Sequence, residues 1–221
     1  MLPPYILLRQ NGFMCDFMRR GFLVIGNKAK TKPFNLNDLP GAGRIDILCR
    51  CVSQALFLSH SIRRDAEIYL LLLGSPNPPK AIKFKGSEIR KTWPDERNIA
   101  GHINKALSFE VGEKWFKSEP GILVAKKGLE KLLSELSENY EVYYMREDGL
   151  EIGSIVSRME NPLFVLGDHI GVKKEDEEII LSFAKNIVSV SKISLMAEQC
   201  ITIANYELDR VQSQREREIS K

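Results

Sequence analysis

Apolar residues fall along the chain in two rhythms. Short apolar runs bounded by charged or turn residues predict strands over Phe22–Ile25, Ile68–Leu73, Ile122–Val124, Val142–Met145, Leu163–Leu166 and Ile193–Leu195. Between them the period lengthens to that of a helix. Ile45, Leu48, Val52, Ala55, Leu56 and Ser59 mark one helical face behind the turn Leu39-Pro40-Gly41-Ala42-Gly43. Pro94-Asp95-Glu96 opens a second helix, with proline in the first turn, acids where the dipole favours them, and Ile99, Ile103 and Leu107 as its stripe. A third helix is predicted from Lys127 to Leu136. A fourth follows the acidic run Glu175–Glu178, with Ile179, Ile180, Phe183 and Ile187 apolar, and a fifth starts near Met196 and carries Cys200, Ile203 and Leu208. Strands alternating with helices predict an α/β fold, a mostly parallel sheet with helices on both faces. Such sheets bind ligands at the carboxyl ends of their strands, so the residues just after each run are where chemistry is expected. No repeat or long linker divides the chain, and the polar stretch 212–221 reads as a frayed tail.

Composition narrows the class. A chain of 221 residues, 43% hydrophobic and 28% charged, fits one globular domain and excludes disordered, collagen-like and coiled-coil proteins. No apolar run approaches the roughly 18 to 20 residues of a membrane span, so neither a span nor a signal peptide is expected. Cys15, Cys49, Cys51 and Cys200 are too few for a disulfide scaffold and contain no CxxC pair, which argues against structural zinc and for a reduced, cytoplasmic setting. His60, His102 and His169 are scattered without HExxH or HxH, so no catalytic metal is expected. The net charge of +3 conceals a split. Residues 1–105 hold 17 basic and 8 acidic side chains, net +9; the remaining 15 basic and 21 acidic give −6. The front half is a candidate polyanion-binding surface, although sequence halves need not be spatial halves.

Two strand ends carry candidate chemistry. After Leu163–Leu166 comes Gly167-Asp168-His169-Ile170-Gly171, where flanking glycines permit close backbone approach to a ligand and Asp168 and His169 offer a carboxylate and an imidazole for proton transfer. A plain tight turn would look the same. Ser75-Pro76-Asn77-Pro78-Pro79-Lys80 leads into Lys83, Lys85, Arg90 and Lys91 against a single Glu88, a cationic loop suited to phosphates or simply to solvent. Neither GxGxxG, GxxxxGK[ST] nor GxSxG occurs, which weighs against Rossmann dinucleotide binding, a P-loop NTPase and a serine hydrolase. Cys200, at a helix start with little basic company, reads as a structural thiol.

Several of these segments together resemble one family. The string Asp38-Leu39-Pro40-Gly41-Ala42-Gly43-Arg44-Ile45-Asp46-Ile47-Leu48-Cys49-Arg50, the loop LLLGSPNPPKAIKFKG with Arg90, Pro94-Asp95-Glu96-Arg97, the strand end YYMREDG, the loop Phe164–Gly171 and the final CITIANYELDR are similar to the TrmY family of SPOUT-class methyltransferases. The resemblance runs from about Met18 to Arg210, with Met18-Arg19-Arg20-Gly21-Phe22 looking like the family's usual start. It implies a division into an extension over 1–17, one SPOUT domain over 18–211 with a C-terminal trefoil knot from about residue 120, and the tail 212–221.

The activity implied is transfer of a methyl group from S-adenosyl-L-methionine to N1 of pseudouridine at position 54 of the tRNA T-loop, by a homodimer packed through the segment Ala197–Glu207. The cofactor residues implied are Met145, Gly167, Ser194, Leu195 and Cys200. The third cofactor loop departs from its relatives, with Met196-Ala197-Glu198-Gln199 where many have a Gly-Pro stretch. Asp168 is the candidate base or base-orienting group with His169 behind it, and Arg44, Lys85, Arg90, Lys91 and Arg97 are candidates for T-loop phosphates. A SPOUT enzyme acting on another RNA, such as a ribosomal pseudouridine, and a non-catalytic RNA-binding module are the alternative readings.

Overall fold

The structure is a computed structural model that describes residues 18–219; the extension 1–17 lies outside the described residues. Ten strands run in chain order as β1 Arg20–Gly26, β2 Phe57–Leu58, β3 Ser61–Ile62, β4 Ala66–Leu72, β5 Lys80–Lys85, β6 Phe116–Glu119, β7 Ile122–Ala125, β8 Glu141–Glu151, β9 Pro162–Gly167 and β10 Asn186–Ser189. Six helices accompany them: α1 Ile45–Leu56, α2 Glu96–Leu107, α3 Leu129–Ser137, α4 Ile152–Ile155, α5 Lys174–Phe183 and α6 Ala197–Ile219. Eight strands form one sheet in the order β10-β8-β9-β1-β4-β5-β7-β6, while β2 and β3 form a small hairpin. The ladders from β10 to β4 are parallel and those from β4 to β6 antiparallel.

Alternation along the central strands builds a core on each face. In β1, Phe22 and Val24 turn towards α1, α2, α4 and α6, whereas Leu23 and Ile25 turn towards α3 and α5. Helix α1 buries Ile45, Leu48, Val52, Ala55 and Leu56 as its period requires, and stops at Leu56 because the chain turns into the β2–β3 hairpin, so Ser59 is not helical. Asp95 caps α2 by accepting the Asn98 amide at 2.8 Å.

Four differences from the sequence pattern have physical causes. The run Ile193–Leu195 is not a strand: Ile193 is 75% exposed, and the last strand is the earlier Asn186–Ser189. Helix α5 ends at Phe183, and the Lys185 amide then donates to the Val142 carbonyl, which docks Ile187 into a strand rather than a helix. Lys80–Lys85 is a strand, because Ile82 and Phe84 alternate into the core under α1 and α2 while Lys83 and Lys85 face the other way. Finally α6 continues through Gln212 to Ile219, with Val211 still buried and the Arg215 guanidinium donating to the Ser157 carbonyl at 2.7 Å.

Helix α6 starts at the carboxyl edge of the parallel strands and descends to their amino edge. There Asp209 receives Arg63 through two 2.7 Å contacts and Arg20 through another, and Arg20, itself 1% exposed, also reaches Asp65 at 2.8 Å. These pairs tie the last helix to the starts of β1 and β4.

Candidate active site

At the carboxyl ends of β8, β9 and β10 the chain leaves the sheet three times, and the departures meet. The first comes from a step in the β8–β10 ladder: Ile187 lies opposite Tyr144, but Val188 lies opposite Leu150. Met145–Gly149 are therefore pushed out of the ladder. The segment between β10 and α6 clips this excursion, with the Lys192 ammonium donating to the Glu147 and Gly149 carbonyls at 3.3 and 3.2 Å and the Ser194 hydroxyl to the Glu147 carboxylate at 2.7 Å. The second departure is Gly167–Gly171, and the third is Val190–Met196. Together with the first turns of α1 and α6 they enclose a cavity of about 580 Å³, a size suited to a small-molecule ligand. Met145, Gly167, Asp168, His169, Ser194, Leu195 and Cys200 all line it, so residues spread over 56 sequence positions converge, and Arg44, Ile47, Arg50 and Glu198 complete the wall.

The Gly167–Gly171 loop is held by Asp168. One carboxylate oxygen accepts the Asn27 backbone amide at 2.8 Å; the other accepts the Asn27 side-chain amide and the Ile170 backbone amide, both at 2.9 Å. The Asp168 side chain is only 1% exposed. The flanking glycines serve the loop itself: a Cβ on Gly167 would strike the backbone of Gly171, whose φ of 81° is in the left-handed region. A buried carboxylate that accepts three N–H donors is well placed to hold this loop, and one of its roughly four acceptor positions is left over. His169 is partly exposed at the cavity, its Nδ1 3.8 Å from the Asp168 carboxylate.

A charged chain links α1, α2 and α6 behind the cavity. Arg44 has φ 64° at the start of α1 and grips Asp46 through Nε at 3.0 Å and Nη2 at 2.9 Å. Burial acts to raise the Asp46 carboxyl, yet Arg44 and Arg50 hold it below the usual carboxylate range. Arg50 reaches Asp46 at 3.2 Å, Glu96 at 3.0 Å and Glu198 at 2.7 Å. The second Glu198 oxygen is buried and has no hydrogen-bond partner among the described residues. Cys200 is half-buried, and burial with the nearby Glu147 charge pushes its thiol up to about 11. Among the described residues no group of three His, Cys, Asp or Glu could hold a metal ion, and no helix is long and apolar enough to cross a membrane.

The predicted phosphate-binding cations do not form one group. Arg44 lines the cavity. Arg97 is held beside the loop before α1 by the Leu36 carbonyl and the Asn37 side chain. Lys85 ends β5 at the other edge and Arg90 and Lys91 follow it, since Lys80 pairs with Leu72 at the carboxyl end of β4 and Lys85 with Glu67 near its start. Five residue steps along a strand place Lys85 about 17 Å from Lys80. Sequence reasoning missed Arg50 and Glu198. Arg50 stands one turn after Asp46 on the polar side of α1 with Ser53 and Gln54, which looks like an ordinary solvated face, and Glu198 resembles an ordinary acid in a helix's first turn.

Residues 18–213 match the family model described as "Putative SAM-dependent RNA methyltransferase". The chain is 48% identical over 198 residues to a tRNA (pseudouridine(54)-N(1))-methyltransferase of Methanosarcina acetivorans, covering 89% of this chain and 93% of that one. It is 46% identical over 200 residues to the enzyme of the same name from Methanocaldococcus jannaschii, covering 86% and 97%. Among solved structures, Archaeoglobus fulgidus Nep1 bound to S-adenosylhomocysteine shares the fold, with a TM-score of 0.63 at 16% identity over 89% of this chain and all of that one.

Proposed function

Because the chain belongs to the family of S-adenosylmethionine-dependent RNA methyltransferases, we propose that it methylates N1 of pseudouridine at position 54 in the tRNA T-loop. The observation that carries this reading is the convergence of three strand-end segments on one cavity with an arginine-bearing helix start at its side. The cavity suits the cofactor. Met145, Leu166, Val190 and Leu195 offer an apolar wall for a nucleobase, and the unpartnered Glu198 oxygen offers an acceptor to a hydroxyl or amino group. When bound, S-adenosylmethionine supplies a methyl group on a positively charged sulfur.

In this mechanism the chain contributes position and a proton acceptor. Asp168 fixes the Gly167–Gly171 loop, so that the backbone forming one cavity wall does not yield when substrate enters. His169 takes the proton that N1 loses as it forms the new N–C bond, with the Asp168 carboxylate 3.8 Å behind its Nδ1. Arg44 keeps one guanidinium nitrogen outside its Asp46 contacts and meets a T-loop phosphate. An unstacked T-loop base enters such a cavity without duplex melting. The family reading also carries a knotted C-terminal half and a cytoplasmic homodimer joined through Ala197–Glu207, a surface to which the exposed Met196 and Tyr206 bring apolar area.

The test uses T-arm RNA carrying uridine or pseudouridine at position 54 with labelled S-adenosylmethionine. Methyl transfer to the pseudouridine RNA alone is expected; equal transfer to both would remove the N1 assignment. The variant His169→Gln is expected to lower kcat about 100-fold with S-adenosylhomocysteine affinity unchanged on calorimetry. An unchanged kcat would remove His169 from the proton's path.

A further inference from the structure

The carboxyl edge of the sheet continues past the cavity. Segment 27–32 leaves the Asn27–Asp168 clamp, and Lys32 is at most about 18 Å from Asn27 along five residue steps. The Lys28 carbonyl lies so close to Gly43 and Gly74 that a Cβ on either would strike it. Thr31 binds the next loop three ways: its amide donates to the Ser75 carbonyl at 3.3 Å, its hydroxyl to the Gly74 carbonyl at 3.0 Å, and its oxygen accepts the Asn77 amide at 2.8 Å. Asn77 in turn accepts from the Lys126 ammonium at 3.3 Å. The ends of β1, β4 and β7 and the start of β5 are thus braced together.

Three lysines stand on this brace. Lys80 is 5% exposed, and its ammonium donates to the Phe109 carbonyl at 3.4 Å. Among the described residues no carboxylate lies within ion-pair distance of it, whereas the neighbouring Lys83 pairs with Glu67 at 2.8 Å, Lys85 with Glu88 at 2.6 Å and Lys127 with Glu135. Burial lowers the Lys80 ammonium from the usual lysine range, and Lys126 and Lys32 lower it further; the exposed Glu110 is the nearby acid that opposes them. A partly desolvated ammonium with no carboxylate at ion-pair distance, on loops that also carry Lys32 and Lys126, gains from an anion arriving.

We propose that Lys32, Lys80 and Lys126 form a phosphate subsite for the RNA backbone, on the same sheet edge as the cavity and one loop away from it. This inference rests on the RNA-methylation reading for the identity of its anion. The pre-braced loops let the three cations meet a phosphodiester without reordering the backbone. The subsite positions the T-arm so that its target nucleoside reaches the Asp168–His169 loop, and it reads no base.

The measurement is binding of unmodified T-arm RNA between 50 and about 200 mM salt, to the wild type, Lys80→Ala and the exposed pair Lys32→Ala/Lys126→Ala. The expected result is at least tenfold weaker binding at low salt and a salt slope reduced by about one per lost phosphate contact, with S-adenosylhomocysteine affinity unchanged. Lys80→Arg should restore most of the slope. Should Lys80→Ala fail to fold, the surface pair still decides. Affinity and slope unchanged in that pair would overturn the subsite. A wild type that methylates no pseudouridine RNA while the lysine variants still flatten its slope would instead overturn the reaction and leave the subsite standing.

Discussion

The two edges of the parallel sheet treat charge in opposite ways. At the amino edge Asp209 takes Arg20 and Arg63, and Asp65 takes a second face of Arg20. Those charges answer one another and fasten α6 to the sheet. At the carboxyl edge Arg44 and Arg50 pair with Asp46 and Glu198, but Asp168 is held by neutral N–H donors, and among the described residues the second Glu198 oxygen has no hydrogen-bond partner and Lys80 and Lys126 have no carboxylate at ion-pair distance. At the amino edge the ion pairs fasten one element to another, whereas at the carboxyl edge several polar groups face the cavity or solvent. A buried polar atom without a partner costs free energy, so the Glu198 oxygen in the cavity wall is a position where a bound ligand recovers some of it.

The largest expected effect comes from removing the acid that holds the Gly167–Gly171 loop. Asp168→Ala removes the acceptor of three N–H groups, the Asn27 backbone amide among them buried, and frees the Gly167–Gly171 loop. We expect a loss of about 3 kcal/mol in urea unfolding and at least a hundredfold loss of S-adenosylhomocysteine affinity. A variant that kept wild-type affinity would show that the loop does not form the cofactor wall.

The opposite edge should separate stability from binding. Asp209→Asn removes the charge shared by Arg20 and Arg63; because Asp209 is 40% exposed and Arg20 retains Asp65, the expected cost is about 2 kcal/mol, with ligand affinity unchanged. Burial would raise the Asp209 carboxyl, but Arg63 and Arg20 hold it below the usual range. A carboxyl lowered in the folded state adds stability above its unfolded value of about 3.9, and that stability is lost as pH falls through the lower folded value. Unfolding midpoints followed from pH 7 to pH 3 should therefore fall more steeply in the wild type than in Asp209→Asn. Parallel curves would mean the acid contributes no net charge stabilisation.

Periodicity made the framework legible, because α1, α2, α3 and the central strands bury a face that alternates as the backbone geometry demands. It failed where charge and burial coincide. Three lysines in six residues hid β5, since only the register with β4 shows Ile82 and Phe84 entering the core. The run Ile-Ser-Leu at 193–195 imitated a strand because a loop that covers a ligand cavity is also apolar. The site was legible as strand ends and as family motifs, which gathered Met145, Gly167 and Cys200. The pairing of Arg50 with Glu198 was not, because it joins residues 148 positions apart and no local pattern encodes it.

The smallest expected effect tests whether the ligand edge carries a nucleophile as well as unpaired charge. Cys200 lines the cavity, but burial and the Glu147 charge push its thiol up to about 11. A thiol so placed is almost wholly protonated at neutral pH, and only the thiolate attacks carbon. Followed by mass spectrometry of its own peptide, iodoacetamide modification of Cys200 at pH 8 should run about two orders of magnitude slower than that of a free cysteine with a value near 8.5. The rate should rise about tenfold per pH unit towards pH 11, and S-adenosylhomocysteine should suppress it. A rate that levelled off by pH 9 would reveal a stabilised thiolate and place nucleophilic chemistry at this edge. The expected climb leaves Cys200 as part of the cavity's half-buried wall, with the reactive work at that edge done by groups that already face the ligand.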